Sequence, residues 1–190
     1  MEVLVMKTKI LLLILIMLAV LFVGCTQEKP AEPAPVTPPE ATPDVVTSAS
    51  IVDNAAAFEK AISNNGTWII ATLKDLSFDK ELVLDGEYTN GKKDDAGKDI
   101  IQRKIALYTQ DEDRNVTDRF TLTAPKLTIN SPEASIQHGT FKGDLYVSSD
   151  NFKLVDTTVE GNVYFTTAEA QSTFTKDGES NITGTQELQK

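Results

Sequence analysis

Cysteine, histidine and tryptophan each occur once in this 190-residue chain, and arginine three times (Arg103, Arg114, Arg119). A lone cysteine, Cys25, excludes an intramolecular disulfide framework. His138 has no serine or cysteine paired with it by any motif, which speaks against hydrolytic triads and Cys/His zinc sites. Scarce arginine, a net charge of −10 and a pI near 4.6 speak against nucleic acid, because phosphate binding needs a clustered basic surface. Between Cys25 and Ser50 there is no glycine and no aromatic residue, yet six of the eight prolines fall there (Pro30, Pro33, Pro35, Pro38, Pro39, Pro43). That Pro/Ala/Thr/Glu composition describes a tether, in which polyproline II advances about 3.1 Å per residue. About 140 residues remain for one folded body, enough for a single core without disulfides.

The N-terminal end has its own signature. Met6-Lys7-Thr8-Lys9 is a basic head, with Met6 read as the true start, and an almost unbroken apolar run follows from Ile10 to Val23. A helix of about fourteen residues spans about 21 Å, short of the roughly 30 Å hydrocarbon core, so the run suits a signal peptide better than a permanent membrane span. It ends Leu21-Phe22-Val23-Gly24-Cys25, which resembles a bacterial lipobox, although Phe22 stands where leucine is usual. The resemblance implies cleavage after Gly24, a diacylglycerol thioether on Cys25, and a mature protein that begins there. Two acyl chains anchor stably, each buried methylene adding about 0.8 kcal/mol. The expected organisation is therefore signal peptide 1–24, lipid-anchored tether 25–50 and folded domain 51–190, on the extracytoplasmic face of a cell membrane.

Within the domain, Ala55 to Ile62 reads as one amphipathic helix, with Asp53 or Asn54 as its N-cap and Asn65-Gly66 as a left-handed stop. Beyond Thr67 the period changes to two, and helical spacing does not return. Thr140 to Ser149 (TFKGDLYVSS) then aligns without gaps to Thr158 to Thr167 (TVEGNVYFTT), an offset of 18. Val116 to Thr123 fits as a weaker copy at offset 25, and Ile182-Thr183-Gly184 matches Val159-Glu160-Gly161 at offset 23. Such spacings point to stacked coils. Strands are expected at Phe120–Thr123, Lys126–Ile129, Ser135–Phe141, Leu145–Ser148 and Phe152–Val155, apolar residues inward, with the helix over the open end. The fold class is thus all-β, a short parallel β-helix with one N-terminal capping helix; an antiparallel β-sandwich is the alternative.

From Thr67 to Gly184 the rung pattern resembles a short right-handed parallel β-helix of the pectate-lyase-like kind. The Gly-Asp-Leu-Tyr-Val and Gly-Asn-Val-Tyr-Phe rungs also resemble those of bactofilin-type polymers, whose usual cytoplasmic place conflicts with Cys25.

Tyr146 and Tyr164 hold equivalent places in successive coils, and alternation turns both outward as neighbours on one face, flanked by Asp144 and Asn162, with Tyr108 in line. Exposed rings among small polar groups suit stacking on sugars; the alternative is a cross-coil ladder that only stabilises the sheet. Asp111, Asp113, Asn115 and Asp118 place oxygen ligands at alternate positions, as calcium loops do. However, Val116 replaces the required glycine and Leu122 the bidentate glutamate, so a solvated acidic turn competes with that reading. Asp94, Asp95 and Asp99 among lysines read as a mobile charged loop inserted between coils. Arg119 is expected near Asp144 by coil register. No cofactor is implied.

The function expected is a non-enzymatic envelope lipoprotein that displays or binds, with polysaccharide or another envelope component as partner. A minimal lyase-like carbohydrate enzyme and a self-assembling β-helical protein are the alternatives. Replacement of Cys25 by serine should abolish incorporation of labelled palmitate and release or strand the unprocessed protein, while the domain stays folded. Label persisting on Cys25→Ser would refute the anchor assignment.

Overall fold

The computed structural model describes residues 49–189; the segment read as a signal peptide, Cys25 and most of the segment read as a tether lie outside them. The strand β1 (Ala49–Val52) includes the last two residues of that segment. One sheet runs β1, β2 (Ile69–Thr72), β7 (Arg103–Ala106), β11 (Ala134–Gln137), β13 (Lys153–Val155), β16 (Thr175–Lys176), and every neighbouring pair is parallel. A second sheet stacks β3 (Leu76–Ser77) and β4 (Leu82–Leu84) on β10 (Thr121–Ile129), then β12 (Thr140–Val147), then β14 (Thr158–Glu160) with β15 (Val163–Phe165), then β17 (Asn181–Ile182) with β18 (Gln186–Leu188). These pairs are parallel too. From β2 onward the chain visits the two sheets alternately, each visit to one supplying the crossover that parallel neighbours in the other require. An antiparallel sandwich does not fit this pairing.

Among the described residues, antiparallel pairing is confined to two hairpins, β5 (Thr89–Lys93) with β6 (Asp99–Ile101) and β8 (Tyr108–Gln110) with β9 (Val116–Arg119). The first is the segment read as a mobile loop. It is instead an ordered hairpin whose turn is closed by Asp94, its carboxylate accepting from the backbone N–H of Ala96 and Lys98 at 2.9 Å.

Parallel register turns the period-two pattern into columns of like side chains. Ile70, Ile105, Ile136 and Leu154 are successive partners in the first sheet, and Leu82, Leu127, Leu145 and Val163 in the second, all buried within one hydrophobic core. The repeat at offset 18 is the register itself, since Thr140 pairs with Thr158, Leu145 with Val163 and Tyr146 with Tyr164. The fragment at offset 23 is likewise in register, Val159 pairing with Ile182. The copy at offset 25 is not. Leu122 pairs with Phe141 and Leu127 with Leu145, because Ala124 and Pro125 together oppose the single Gly143 and form a bulge. The run expected at Ser135–Phe141 is broken at His138, whose φ of 56° turns the chain from one sheet to the other.

Helix α1 (Ala55–Ile62) starts as expected, the Asn54 side chain accepting from Ala57 N–H at 2.9 Å. Its stop differs: Ser63 leaves the helix in extended conformation, and no left-handed glycine is used. Phe58, Ala61 and Ile62 are buried, with the Phe58 ring 5.5 Å from that of Phe78. A second helix, α2 (Ala168–Thr173), was not expected; Thr167 caps it and Ala170 is its buried residue.

Arg103 is fully buried. Its guanidinium donates to the carbonyls of Asp85 (2.7 Å), Ala61 (2.8 Å) and Ser63 (3.0 Å), and lies 3.9 Å from the centre of the Tyr88 ring. It thereby satisfies orphan carbonyls at the end of α1, where a cation also complements the helix dipole. Burial lowers its pKa, opposed by Tyr88 and Asp85.

Leu145→Ala should cost about 2–4 kcal/mol of stability, Val163→Ala somewhat less and Tyr146→Ala less than either, since only the first two open a core cavity. Chemical denaturation checks the ranking; equal losses would contradict the inside–outside assignment.

Candidate functional site

Leu145, Val147, Val163 and Phe165 occupy the core and turn the residues between them outward. Tyr146 and Tyr164 consequently lie side by side on the outer face of the second sheet, half-exposed, with ring centres 4.9 Å apart and planes inclined at 44°. Their row continues to Thr128 on one side and Glu187 on the other. Lys126 sets its ammonium 4.4 Å from the Tyr146 ring centre, so that ring has a cation and a neighbouring ring against it. Tyr164 is the more available of the pair. Burial, then the nearby Asp144 charge, raises the Tyr164 pKa above the ordinary phenol value, keeping it a neutral hydrogen-bonding group. Tyr108 is not in line: it lies on the β8–β9 hairpin, against His138.

Asp144 and Asn162 do flank the tyrosines, but they are engaged with one another. One Asp144 carboxylate oxygen accepts from the backbone N–H of Asn162 (2.9 Å) and from its side-chain amide (3.0 Å). The Asn162 amide oxygen in turn accepts from Thr185 N–H at 2.9 Å. The three residues form a polar ladder joining successive parallel strands, which leaves the second carboxylate oxygen of Asp144 as the flank's main remaining acceptor.

A second group comes together that sequence reasoning missed. Asp156 Oδ2 accepts from Arg119 Nη2 at 2.5 Å and lies 3.1 Å from His138 Nδ1. Tyr108 packs edge-on against the imidazole, ring centres 4.5 Å apart. Both His138 and Asp156 sit at positive φ (56° and 47°), and Asp156 N–H is held by the Asp177 carboxylate. Arg119 therefore ion-pairs with Asp156, not Asp144, because the offset of 25 that linked it to Asp144 is not the register. His138 and Asp156 are 18 residues apart, the spacing of the repeat, and that signal was available in the sequence. With the proton on Nδ1, the imidazole donates to Asp156 and leaves Nε2 as an acceptor. Among the described residues, no serine hydroxyl is hydrogen-bonded to it.

The acidic turn 111–115 closes the β8–β9 hairpin. Asp111 accepts from Asn115 N–H (2.8 Å) and from its side-chain amide (3.0 Å), and Asp118 accepts from Thr109 at 3.0 Å. The Asn115 side-chain bond holds the Asp111 carboxyl below its ordinary range. Among the described residues, no three Asp, Glu, His or Cys side chains gather as a metal site would require.

No protein-family model, curated protein or solved structure matches the chain.

The Arg119 hydrogen bond, then that of His138, holds the Asp156 carboxyl below the ordinary carboxylate range. A lowered folded-state pKa contributes stability that is complete above the unfolded value, near pH 4, and is lost as pH falls through the lowered one. Asp156→Asn should thus flatten the loss of stability below about pH 4 while costing no more than about 1 kcal/mol at neutral pH, as partly exposed pairs do. Unfolding curves measured from pH 7 to 2 check this, and an unchanged acid slope would contradict it.

Proposed function

We propose that this chain is a lipid-anchored protein of the bacterial cell envelope, held through Cys25, whose domain is a short right-handed parallel β-helix acting as a non-enzymatic binding module. The apolar run ending at Gly24-Cys25 and the proline-rich stretch behind it support the anchor. Parallel, in-register strands visited alternately at a spacing of 18 support the β-helix.

The observation that carries the binding reading is the half-exposed Tyr146–Tyr164 pair. Two rings on a flat strand face, bordered by Lys126 and the free oxygen of Asp144, offer a stacking surface with polar edges suited to a sugar. Each aromatic contact is worth about 0.5–1.5 kcal/mol, so a single site is weak and many copies on one membrane act through avidity. The acidic net charge favours neutral glycans over anionic ones.

A lyase-like enzyme is the second reading, favoured by His138 bonded to Asp156 beside Arg119. Binding retains a polymer intact, whereas a lyase shortens it and creates unsaturated ends.

Changing Tyr146 and Tyr164 together to alanine should abolish retention on a panel of insoluble neutral glycans while circular dichroism stays that of the wild type. Binding to none of them, or equal binding by both proteins, would reduce the tyrosines to a structural ladder.

A further inference from the structure

The outer face of the first sheet carries a feature that the polysaccharide reading does not use. In a parallel strand whose alternate residues are buried, the outward positions are normally polar. Here Ile51, Ile69 and Leu73 face outward, and Ile51 and Leu73 are 69% and 48% exposed. Ile51 pairs with Ala71 and Ala71 with Ala106, so three successive strands present small or apolar side chains there. The β8–β9 hairpin brings Tyr108 against this surface and makes a groove of about 300 Å³. Ligand clefts start at about this size and share this character, apolar walls with few polar groups.

One charged side chain lines the groove, Lys104. It is half-buried, and among the described residues no carboxylate lies within ion-pair distance of it. Burial lowers its pKa, the mark of an ammonium deprived of water and given nothing in exchange. The complement of such a groove is an apolar body that ends in an anion.

We propose that this groove binds a small anionic amphiphile, an aliphatic monocarboxylate, with its chain against Ile51, Ile69, Leu73 and Tyr108 and its carboxylate on Lys104. The ion pair forms at the half-buried ammonium, where its partner is least screened, and the chain covers side chains otherwise left in water. The site is separate from the Tyr146–Tyr164 face, so either can fail without the other.

The test is photolabelling of the full chain in its membrane with decanoic acid carrying a diazirine near the chain end, followed by mapping of labelled peptides. Saturable label on peptides containing Ile51, Leu73 or Tyr108, competed by unlabelled decanoate, is expected. Lys104→Glu should raise the half-saturating concentration about tenfold or more, as loss of a charge-assisted contact does. Leu73→Asp, at a position 48% exposed, should remove the label while circular dichroism stays that of the wild type. A decylammonium diazirine probe should not label the groove. Equal labelling by the ammonium probe, unchanged labelling of Lys104→Glu, or label that does not saturate would overturn the proposal. Labelling only by a diazirine phospholipid would also overturn it, by showing a membrane-docking face instead.

Discussion

Parallel strands can stay in register through their turns only if the backbone of one closely approaches that of the next there, and here glycine makes that approach. At Gly143 a β-carbon would overlap the carbonyl oxygen of Ala124, at a φ of 138° that L-residues rarely adopt. At Gly161 it would overlap the carbonyl of Gly143, and at Gly184 it would crowd that of Gly161. Gly143, Gly161 and Gly184 thus form a column in which each rests on the peptide before it, tied at the end by the 3.0 Å bond from Gly184 N–H to Gly161 O. The residues that follow them, Asp144, Asn162 and Thr185, are thereby brought close enough to form their polar ladder. The strands on either side then align, and the apolar columns close the core. Glycine here is chosen for contact distance more than for freedom.

This constraint explains which parts of the architecture were legible beforehand. Where a glycine corner recurs with equal spacing, as between Gly143 and Gly161, alignment by eye finds the register residue for residue. Where the corner is built otherwise, it fails. Ala124-Pro125 makes the same corner with one extra residue, and a gap-free comparison slid to a false offset of 25 that carried Arg119 to the wrong partner. The hairpins hid the earlier strand pairs altogether, since Leu76 and Leu122 pair across 46 positions with β5–β6 and β8–β9 between them. Alternation within strands survived these errors because it is local, and so Tyr146 and Tyr164 were rightly turned outward.

The functional surfaces were less legible, for a physical reason. A polar residue beside an exposed ring looks the same in sequence whether it faces a ligand or the next strand. Asp144 and Asn162 proved to face each other. Conversely, His138 and Asp156 are unremarkable separately and become a pair only through the repeat spacing. Arg103 looked like one of three scarce arginines, yet it is buried under the end of α1, where three carbonyls and a tyrosine ring replace its water. Buried cations of that kind follow from tertiary placement, which no local pattern encodes.

The claim that close backbone contact at the glycine column holds the parallel strands in register is tested most directly by comparing two alanine substitutions in equilibrium denaturation. Gly161 lies in the column, whereas a β-carbon at Gly178 would meet nothing within 4 Å. Gly178→Ala should be neutral or slightly stabilising, as removal of glycine freedom from the unfolded chain predicts. Gly161→Ala should cost more than about 2 kcal/mol, within the range of severe steric lesions. Equal stability of the two variants would contradict the account.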